Sequence, residues 1–475
     1  MFSVTSLGFL PFMALFVCLW YRMPQPSRWK LVLAANAVFC LSIDIGAFFA
    51  VALATAVVWQ AAQHAQPEQP SRRGWLALGL AAALLPLLVL KYSGMLVPGL
   101  RDLYKPFGLA YYSLQLAGYL LDVWHGRTAP TPSYARLWCY AGFFFSLTQG
   151  PFNRYNTLMP QLEAAPKTFE TQRLVSGLQR SAWGYFKKFA IADRAAIVVS
   201  AAFADPASFD RSQLIFATVM YSFQLYADFS GYTDIVLGMG EILGLHLPEN
   251  FRQPFFSAGV KELWARWHIS LSQWFRDYVY IPLGGNRKGT VRKYINQMIV
   301  MLVSGLWHGA AWNYVIWGGI NGLYQVAGGI TKPFRRRIQQ KTGAHTKTLS
   351  WRIGQVLTTF VLIDLSWIFF RANSLGDAMH LLSSLFRGWS TSIFFDGSLL
   401  KLGLDQTEWL VLLGALLILL AVSLMQEKGV SVLEAVKRQQ LWFRWLIYLA
   451  AIFVVLLTGI YGPGFAASSF IYFQF

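Results

Sequence analysis

The chain of 475 residues is poor in charged residues, which make up only 13% of it. Soluble domains carry about 25%, and a soluble fold would have to bury many long apolar runs in one core of a size that domains seldom reach. Acidic residues are scarcest, with 22 Asp and Glu against 40 Lys and Arg and a net charge of +18. Because the cations lie mostly in short loops between apolar runs, they indicate membrane topology and not nucleic-acid binding.

Metal-binding and nucleophile motifs are also lacking. The three cysteines, Cys18, Cys40 and Cys139, all lie within apolar runs and show neither metal-ligand spacing nor paired loop positions. A His-Glu-x-x-His motif and a Gly-x-Ser-x-Gly turn are absent, which argues against zinc and serine hydrolases. The glycine-rich stretch Leu283–Thr290 lacks the P-loop pattern; it can hold a phosphate through backbone amides or form a tight cytoplasmic turn. We therefore expect no metal and no bound cofactor.

Long apolar runs dominate the rest of the chain, because 55% of the residues are hydrophobic and 16% are aromatic. At about 20 residues per span, they predict an all-α polytopic membrane protein with about ten to twelve transmembrane helices plus re-entrant or interfacial helices. No internal repeat or soluble domain is evident. We therefore expect a single integral-membrane domain, 1–475, made of N-terminal helices (1–105), a core with the candidate chemistry (106–325) and C-terminal helices (326–475).

Several stretches depart from the pattern of a simple span. Leu31–Trp59 is too long for one span, and Asp44 near its middle predicts a broken pair of segments. Phe169–Arg194 alternates apolar and basic residues, which predicts an amphipathic helix in the cytoplasmic interface. Leu214–Leu245 is apolar but contains three acidic residues, so we expect it to bend or to face a cavity. Lys332–Arg352 has seven Lys and Arg residues and no acid, which is typical of a cytoplasmic loop.

The residues that can carry chemistry concentrate in two stretches, Lys261–Tyr280 and Ser304–Asn313. The first is too polar to cross the bilayer alone, so we expect it to be partly buried in protein. Of the seven histidines, only His268 and His308 lie between tryptophans. Imidazole is the usual general base near neutral pH, and ionisable residues at membrane depth are functional candidates. His308 is the stronger candidate because Gly309 allows close approach; a histidine hydrogen-bonded between helices is the alternative.

Short motifs occur in a fixed order across the chain from about Pro106 onward. They are Gly150-Pro-Phe-Asn-Arg154, Tyr226-Ala-Asp-Phe-Ser-Gly-Tyr-Thr-Asp234, Asn250-Phe-Arg-Gln-Pro254, Trp264-Ala-Arg-Trp-His-Ile-Ser-Leu-Ser272, Leu283-Gly-Gly-Asn-Arg-Lys-Gly289, Gly305-Leu-Trp-His-Gly-Ala310, Ser366-Trp-Ile-Phe-Phe-Arg371 and Phe470-Ile-Tyr-Phe-Gln-Phe475. In order and spacing they resemble the membrane-bound O-acyltransferase (MBOAT) family. The resemblance is closest to its bacterial branch, typified by the alginate O-acetyltransferase membrane subunit.

The resemblance implies a helical core with a central funnel and an acyl-transfer reaction. In it, His308 corresponds to the family's essential histidine and His268 to its second histidine position. We therefore expect His308 to act as the general base and His268 as a positioning or proton-shuttling partner. Five further side chains are expected to bind the substrates or to support the site: Trp307, Arg266, Asp277, Asn313 and Asp234. The alternatives are structural ion pairs for the acidic members and packing for the tryptophan.

The resemblance also implies substrates, partners and a location. The donor is an acyl thioester, acetyl-CoA or another, whose acyl group passes through the bacterial inner membrane to an external polysaccharide such as alginate, cellulose or peptidoglycan. A periplasmic esterase-like protein completes the transfer, alongside the polysaccharide export machinery. The cations after the first apolar run, Arg22, Arg28 and Lys30, place the N-terminus outside the cytoplasm.

Two other functions remain open at the level of the sequence. D-alanyl transfer to teichoic acid occurs in the same family, although the length and the extended region Lys332–Asp405 favour polysaccharide acetylation. A proton-coupled transporter is the alternative from another class, and it would use Asp44, Asp228 and Asp234 within apolar runs. Such a carrier predicts an inverted repeat, which the sequence does not show, so an enzyme is favoured.

Overall fold

The computed structural model describes residues 4–6, 8–100, 103–147, 149–385 and 389–460. Within these ranges the regular elements are helices, and one isolated bridge pairs Phe251 with Trp267. The all-α class that the sequence predicts is therefore confirmed. The chain forms two compact units: the first contains Met1–Ser181 and Tyr232–Glu249, and the second contains Ala182–Gly231 and Asn250–Phe475. The terminal aromatic motif, residues 470–475, lies outside the described residues.

The first unit is a succession of helices joined by short connections. Its helices are α1 (Phe9–Arg22), α2 (Arg28–Ile43), α3 (Ile45–His64), α4 (Arg72–Leu96), α5 (Leu109–Trp124), α6 (Tyr134–Ala141), α7 (Tyr155–Ala164) and most of α8 (Thr171–Phe186). The end of a later helix, α10, also belongs to this unit.

Asp44 separates α2 from α3, as the sequence predicts. Its backbone is extended, and its side chain accepts hydrogen bonds from the Gly46 N–H at the start of α3 (2.9 Å) and from the Phe107 N–H (3.1 Å). The first amides of a helix have no partner within the helix, so an acceptor at this position stabilises the helix start. The carboxylate of Asp44 therefore has a structural role in the first unit.

The second unit contains the remaining described helices and two π-helical segments, Lys187–Ala192 and Arg276–Tyr280. Its helices are α9 (Asp193–Ala204), most of α10 (Arg211–Ile242), α11 (Val260–Arg266), α12 (Ile269–Phe275), α13 (Gly289–His308), α14 (Trp312–Ile330), α15 (Lys332–Thr342), α16 (Leu349–Arg371), α17 (Leu375–Leu385), α18 (Gln406–Glu427), α19 (Val432–Lys437) and α20 (Leu441–Thr458). α11 and α12 have seven residues each, about 10 Å at 1.5 Å per residue. They are too short to cross a bilayer, in agreement with the sequence.

Five of the described helices are long and apolar enough to cross a membrane: α3, α4, α16, α18 and α20. The polytopic class is confirmed. The sequence-based number of about ten to twelve spans is larger than five because it divides the total apolar length by the length of one span. Part of that length lies in short or interrupted helices. The first apolar run forms the 14-residue helix α1, and the run Ile299–Gly319 is divided between α13 and α14.

The stretch Phe169–Arg194, predicted as one interfacial amphipathic helix, is divided into α8, a π-helical segment (Lys187–Ala192) and the start of α9. Lys187 and Lys188 are buried in the first π-helical segment. The Lys188 Nζ atom lies 2.7 Å from Asp228 Oδ1 and 2.9 Å from Asp193 Oδ1. Burial by itself lowers the pKa of Lys188, but the two carboxylates more than offset it, so this pKa is raised. A local pattern does not reveal that Lys187 and Lys188 are buried or that Asp228 on α10 pairs with Lys188. An interfacial position for α8 itself stays a prediction.

Glycines bring α13 and α14 close together. A Cβ atom on Gly318 would lie 2.4 Å from the Met301 carbonyl oxygen, and one on Gly305 would lie 2.2 Å from the Tyr314 carbonyl oxygen. Residues without a side chain let helix backbones approach to this distance. The close approach packs the C-terminal end of α13, which carries His308, against α14.

Candidate active site: a cavity lined by two histidines

The second unit contains a cavity of about 280 Å³. Its lining comes from α11, α12, the second π-helical segment, α13 and α14. His268 and His308 both line it, so the structure brings together the two histidines that the sequence singles out. The other polar lining residues are Lys261, Ser272, Arg276, Gln297, Ser304 and Gln325.

His308 is the last residue of α13 and is only 5% exposed. Its ring contacts three aromatic rings, with centroid distances of 4.9 Å to Trp307, 5.2 Å to Trp317 and 5.1 Å to Phe370. These contacts are edge-to-face, the geometry that aromatic rings prefer over a face-to-face sandwich. They fix the imidazole plane while one side of the residue remains on the cavity. Phe370, from α16, is a contact that the sequence did not indicate.

His268 lies between α11 and α12 with a left-handed backbone, φ +43°. This conformation is uncommon for a residue with a side chain, so the surroundings must hold it. Asn250 does so: its carbonyl accepts from the Ile269 N–H (3.0 Å), and its Oδ1 accepts from the Ser270 N–H (3.2 Å) and hydroxyl (2.6 Å). Asn250 is the first residue of the motif Asn250–Pro254, but the sequence did not indicate that it holds the backbone next to His268.

The imidazole of His268 is 3% exposed and packs at 4.6 Å edge-to-face against Phe229. Burial lowers the pKa of His268 to about 3, because an apolar environment disfavours the charged form. The ring is therefore neutral near pH 7. Trp307 lies beside both histidines, with its ring centroid 6.2 Å from that of His268 and 4.9 Å from that of His308.

Arg266 takes part in an ion cluster of the second unit. Its guanidinium lies 2.7 Å from Glu262 and 2.5 Å from Glu427, and Glu427 also pairs with Arg352 at 2.8 Å. Burial lowers the pKa of Arg266, but the two glutamates more than offset it and raise this pKa. The cluster ties α11 to α16 and α18. Among the described residues the cavity lining does not include Arg266, and a role toward substrate stays a prediction.

Asp277 and Asn313 belong to the second unit but have structural partners there. Asp277 pairs with Arg276 at 2.9 Å, in keeping with the structural ion pair that the sequence leaves open as its alternative role. The Asn313 side chain is buried and donates to the Ala372 carbonyl oxygen at 2.9 Å. This bond joins the start of α14 to the end of α16, next to the aromatic rings around His308. A contact of either residue with substrate stays a prediction.

Asp234 is part of the first unit, unlike the two histidines. Its carboxylate lies 3.0 Å from Arg180 Nε, and Arg180 also binds Glu249 at 2.6 Å. Burial lowers the pKa of Arg180, but the two carboxylates more than offset it and raise this pKa. A supporting role for Asp234 at the histidine site stays a prediction.

Comparisons with known proteins agree with the motifs. The profile of the membrane-bound O-acyltransferase family matches residues 89–368. The chain is 33% identical over 390 residues to the probable alginate O-acetylase AlgI of Pseudomonas fluorescens, covering 80% of this chain and 75% of the relative. It is 31% identical over 357 residues to the peptidoglycan O-acetyltransferase of Helicobacter pylori, covering 68% and 66%. It is 28% identical over 287 residues to the teichoic acid D-alanyltransferase of Bacillus subtilis, covering 56% and 72%.

The matched region contains the helices that form the cavity and includes both histidines. It covers more than half of the chain, and the architecture is helical with several membrane-spanning helices, as a membrane enzyme of this kind requires. The enzyme class favoured by the sequence over a transporter is confirmed. The chain therefore belongs to the membrane-bound O-acyltransferase family and is an acyltransferase.

Proposed function

We propose that the protein moves an acetyl group from a thioester donor to a hydroxyl group of an extracytoplasmic polysaccharide, with His308 as the general base. The observation that carries this proposal is the shared cavity, because His308 and His268 both line it. Two of the relatives carry the names alginate O-acetylase and peptidoglycan O-acetyltransferase. Their names support a carbohydrate hydroxyl as the acceptor.

A hydroxyl group is a weak nucleophile until a base removes its proton. In the proposed reaction the imidazole of His308 takes that proton while the acceptor oxygen attacks the thioester carbonyl. The tetrahedral adduct then collapses, the carbon–sulfur bond breaks, and the imidazolium returns the proton to the departing thiolate. His308 ends α13, and the partial negative charge at a helix C-terminus stabilises a protonated imidazole there.

His268 acts as a positioning residue in this proposal. Because burial keeps its imidazole neutral near pH 7, it can donate one hydrogen bond and accept another without carrying a charge. Its backbone is held by Asn250, so the direction of its ring is fixed. A rigid neutral partner can orient an acceptor hydroxyl toward the base or relay a proton to it.

The dimensions and lining of the cavity support a small acyl group on a phosphorylated carrier. Ligand sites usually measure about 300–1,000 Å³, so a space of 280 Å³ favours acetyl over a long acyl chain. Lys261 and Arg276 also line it, and ammonium and guanidinium groups bind phosphates such as those of coenzyme A. The aromatic wall around His308 keeps out water that would hydrolyse the thioester.

The direction of transfer is part of the same proposal. We place the donor on the cytoplasmic side of a bacterial inner membrane and the N-terminus on the other side. The distribution of cations supports this orientation, since the basic stretch Lys332–Arg352 has no acidic residue. A periplasmic esterase-like protein then completes the transfer onto the polymer, in association with the polysaccharide export machinery.

D-alanyl transfer to teichoic acid is the second candidate within the family. The similarity to a teichoic acid D-alanyltransferase supports it, but that relative matches 56% of the chain, against 80% for the alginate O-acetylase relative. The two candidates differ in their donors, because D-alanyl transfer needs a D-alanyl thioester. Offering both thioesters to the same protein therefore separates them.

The test uses full-length protein in nanodiscs with acetyl-CoA labelled in the acetyl group. Release of the free thiol and transfer of label are followed for the wild type, for His308→Gln and for His345→Gln, the same change at an exposed histidine. We expect His308→Gln to lower turnover by about 10²- to 10⁴-fold, the usual contribution of a general base, while His345→Gln keeps wild-type turnover. Thermal unfolding checks that each variant is folded.

Retention of wild-type turnover in folded His308→Gln would exclude His308 as the base. If the wild type uses a D-alanyl carrier thioester and not acetyl-CoA, the D-alanyl candidate replaces the acetyl one. The periplasmic partner is added in a second series, because a transfer that requires it shows no labelled polymer without it.

A further inference from the structure

The short cationic helix α15 contributes no residue to the described lining of the cavity. It spans Lys332–Thr342, has no buried residue and follows α14 after a single residue, Thr331. The five cations of the helix form no ion pair within the part of the chain that the structure describes, and the stretch Lys332–Arg352 has no acidic residue. The cations are Lys332, Arg335, Arg336, Arg337 and Lys341.

The same helix exposes two large apolar side chains. Phe334 is 64% exposed and Ile338 is 44% exposed, and their spacing of four residues places them on one face. Ile330, at the end of α14, continues the series and is also exposed. An apolar face flanked by Arg337 and Lys341 is the pattern of a helix that lies in a membrane interface, with apolar residues inserted and cations toward the headgroups.

The position of α15 in the chain supports a lipid surface as its partner. α16, which begins at Leu349, is one of the helices long and apolar enough to cross the membrane. Only residues 343–348 separate α15 from it, and six residues reach about 20 Å at most. α15 therefore lies within a short distance of the bilayer surface.

We propose that α15 is a docking surface for the headgroups of anionic phospholipids in the leaflet that α16 enters. Unpaired cations need a counter-charge, and the described residues supply none for the five cations of α15. Anionic lipids attract cationic segments at the membrane surface. Phe334 and Ile338 add apolar contacts that a soluble acidic partner does not require. The proposal is independent of the acyl donor and acceptor.

The test reads the environment of α15 directly in the full-length protein. Cys18 is exposed, whereas Cys40 and Cys139 are buried, so a Cys18→Ser, Ile338→Cys protein can be labelled at residue 338 with an environment-sensitive fluorophore. The protein is placed in nanodiscs of phosphatidylcholine with an increasing share of phosphatidylglycerol. We expect the emission to shift to the blue as phosphatidylglycerol is added, and the shift to reverse at high salt.

Two triple variants complete the design. Arg336→Gln, Arg337→Gln and Lys341→Gln remove three cations of α15, which has no buried residue, so the protein should stay folded. Lys167→Gln, Lys428→Gln and Arg438→Gln remove the same charge from exposed positions elsewhere. We expect the first variant to lose most of the shift over the same range of phosphatidylglycerol, because each cation removed weakens the attraction to anionic lipid. We expect the second variant to behave like the labelled parent.

Three results would overturn the proposal. One is equal emission in phosphatidylcholine and phosphatidylglycerol nanodiscs. The second is an unchanged shift in the α15 triple variant. The third is a blue shift when poly-glutamate or inorganic phosphate is added to the protein in pure phosphatidylcholine nanodiscs, at concentrations of negative charge too low for phosphatidylglycerol to cause a shift. Poly-glutamate would then point to an acidic protein partner, and phosphate to a simple anion site.

Discussion

Replacing Gly318 by alanine tests how the close approach of α13 and α14 builds the site. The added Cβ would lie 2.4 Å from the Met301 carbonyl oxygen, whereas ordinary van der Waals contact begins at 3.4 Å. The neighbour is helix backbone and cannot rotate away, so the two helices must separate by about 1 Å. Overpacking of this kind costs about 1–3 kcal/mol, more than the gain of up to about 1 kcal/mol from replacing glycine by alanine in a helix.

Gly319 provides a matched control one residue away. A Cβ there would meet Leu302 Cδ2 at 3.7 Å, an ordinary contact, so Gly319→Ala keeps the gain in helix propensity without the clash. We expect Gly318→Ala to lower the free energy of unfolding and Gly319→Ala to leave it unchanged or to raise it. Because His308 lies at the end of α13, a displacement of about 1 Å should also lower thioester turnover by about 10²-fold.

The assay compares the thermal unfolding midpoints of the two variants in the same detergent, followed by turnover of acetyl-CoA in nanodiscs. The difference between the variants is the quantity of interest, since both make the same chemical change in the same helix. Equal midpoints and equal turnover for Gly318→Ala and Gly319→Ala would refute the reasoning, because they would mean that the approach of the two backbones does not control the site.

Three further predictions concern the polar groups around and beyond the cavity. Asn250→Ala leaves the Ser270 amide and hydroxyl without their acceptor, so we expect a loss of about 1–3 kcal/mol in unfolding free energy and slower thioester turnover as the His268 backbone loosens. Lys188→Met leaves the buried carboxylates uncompensated, so we expect a loss of about 3–5 kcal/mol that Lys188→Met/Asp228→Asn partly restores. For His268, the pKa is about 3 in the folded protein and about 6.5 in the unfolded chain. The unfolded chain alone binds a proton between these values, so stability is lost as the pH falls below about 6.5, by up to about 1.4 kcal/mol per pH unit; His268→Gln removes this contribution.

All three predictions are checked by measuring thermal unfolding midpoints of the variants and the wild type in the same detergent. An unchanged midpoint for Asn250→Ala would show that other contacts hold the left-handed residue. A double variant no more stable than Lys188→Met would contradict the ion-pair account. If the wild type and His268→Gln lose stability in parallel between pH 7 and pH 4, the imidazole of His268 is not responsible for the acid sensitivity.

The sequence alone determined the class of the protein and singled out two candidate histidines. Low charge, long apolar runs and an excess of cations are local properties of the chain, and they suffice to predict a helical membrane protein. The break at Asp44 was equally predictable, since one carboxylate inside an apolar run is best placed at a helix start. The two histidines between tryptophans stood out for the same reason: polar groups are costly at membrane depth.

The tertiary structure decided which polar groups meet. The local sequence pattern predicts Lys188 as a cation at the membrane interface, but its side chain is buried against Asp228 on another helix. The partners of Arg266 were likewise not evident from the sequence: Glu427 of α18 binds it in an ion cluster. Partners this far apart in sequence leave no local pattern, because burial and ion pairing depend on which helices pack together. Sequence periodicity therefore predicted the helices and the histidines, and only the packing of helices revealed the cavity that the histidines share.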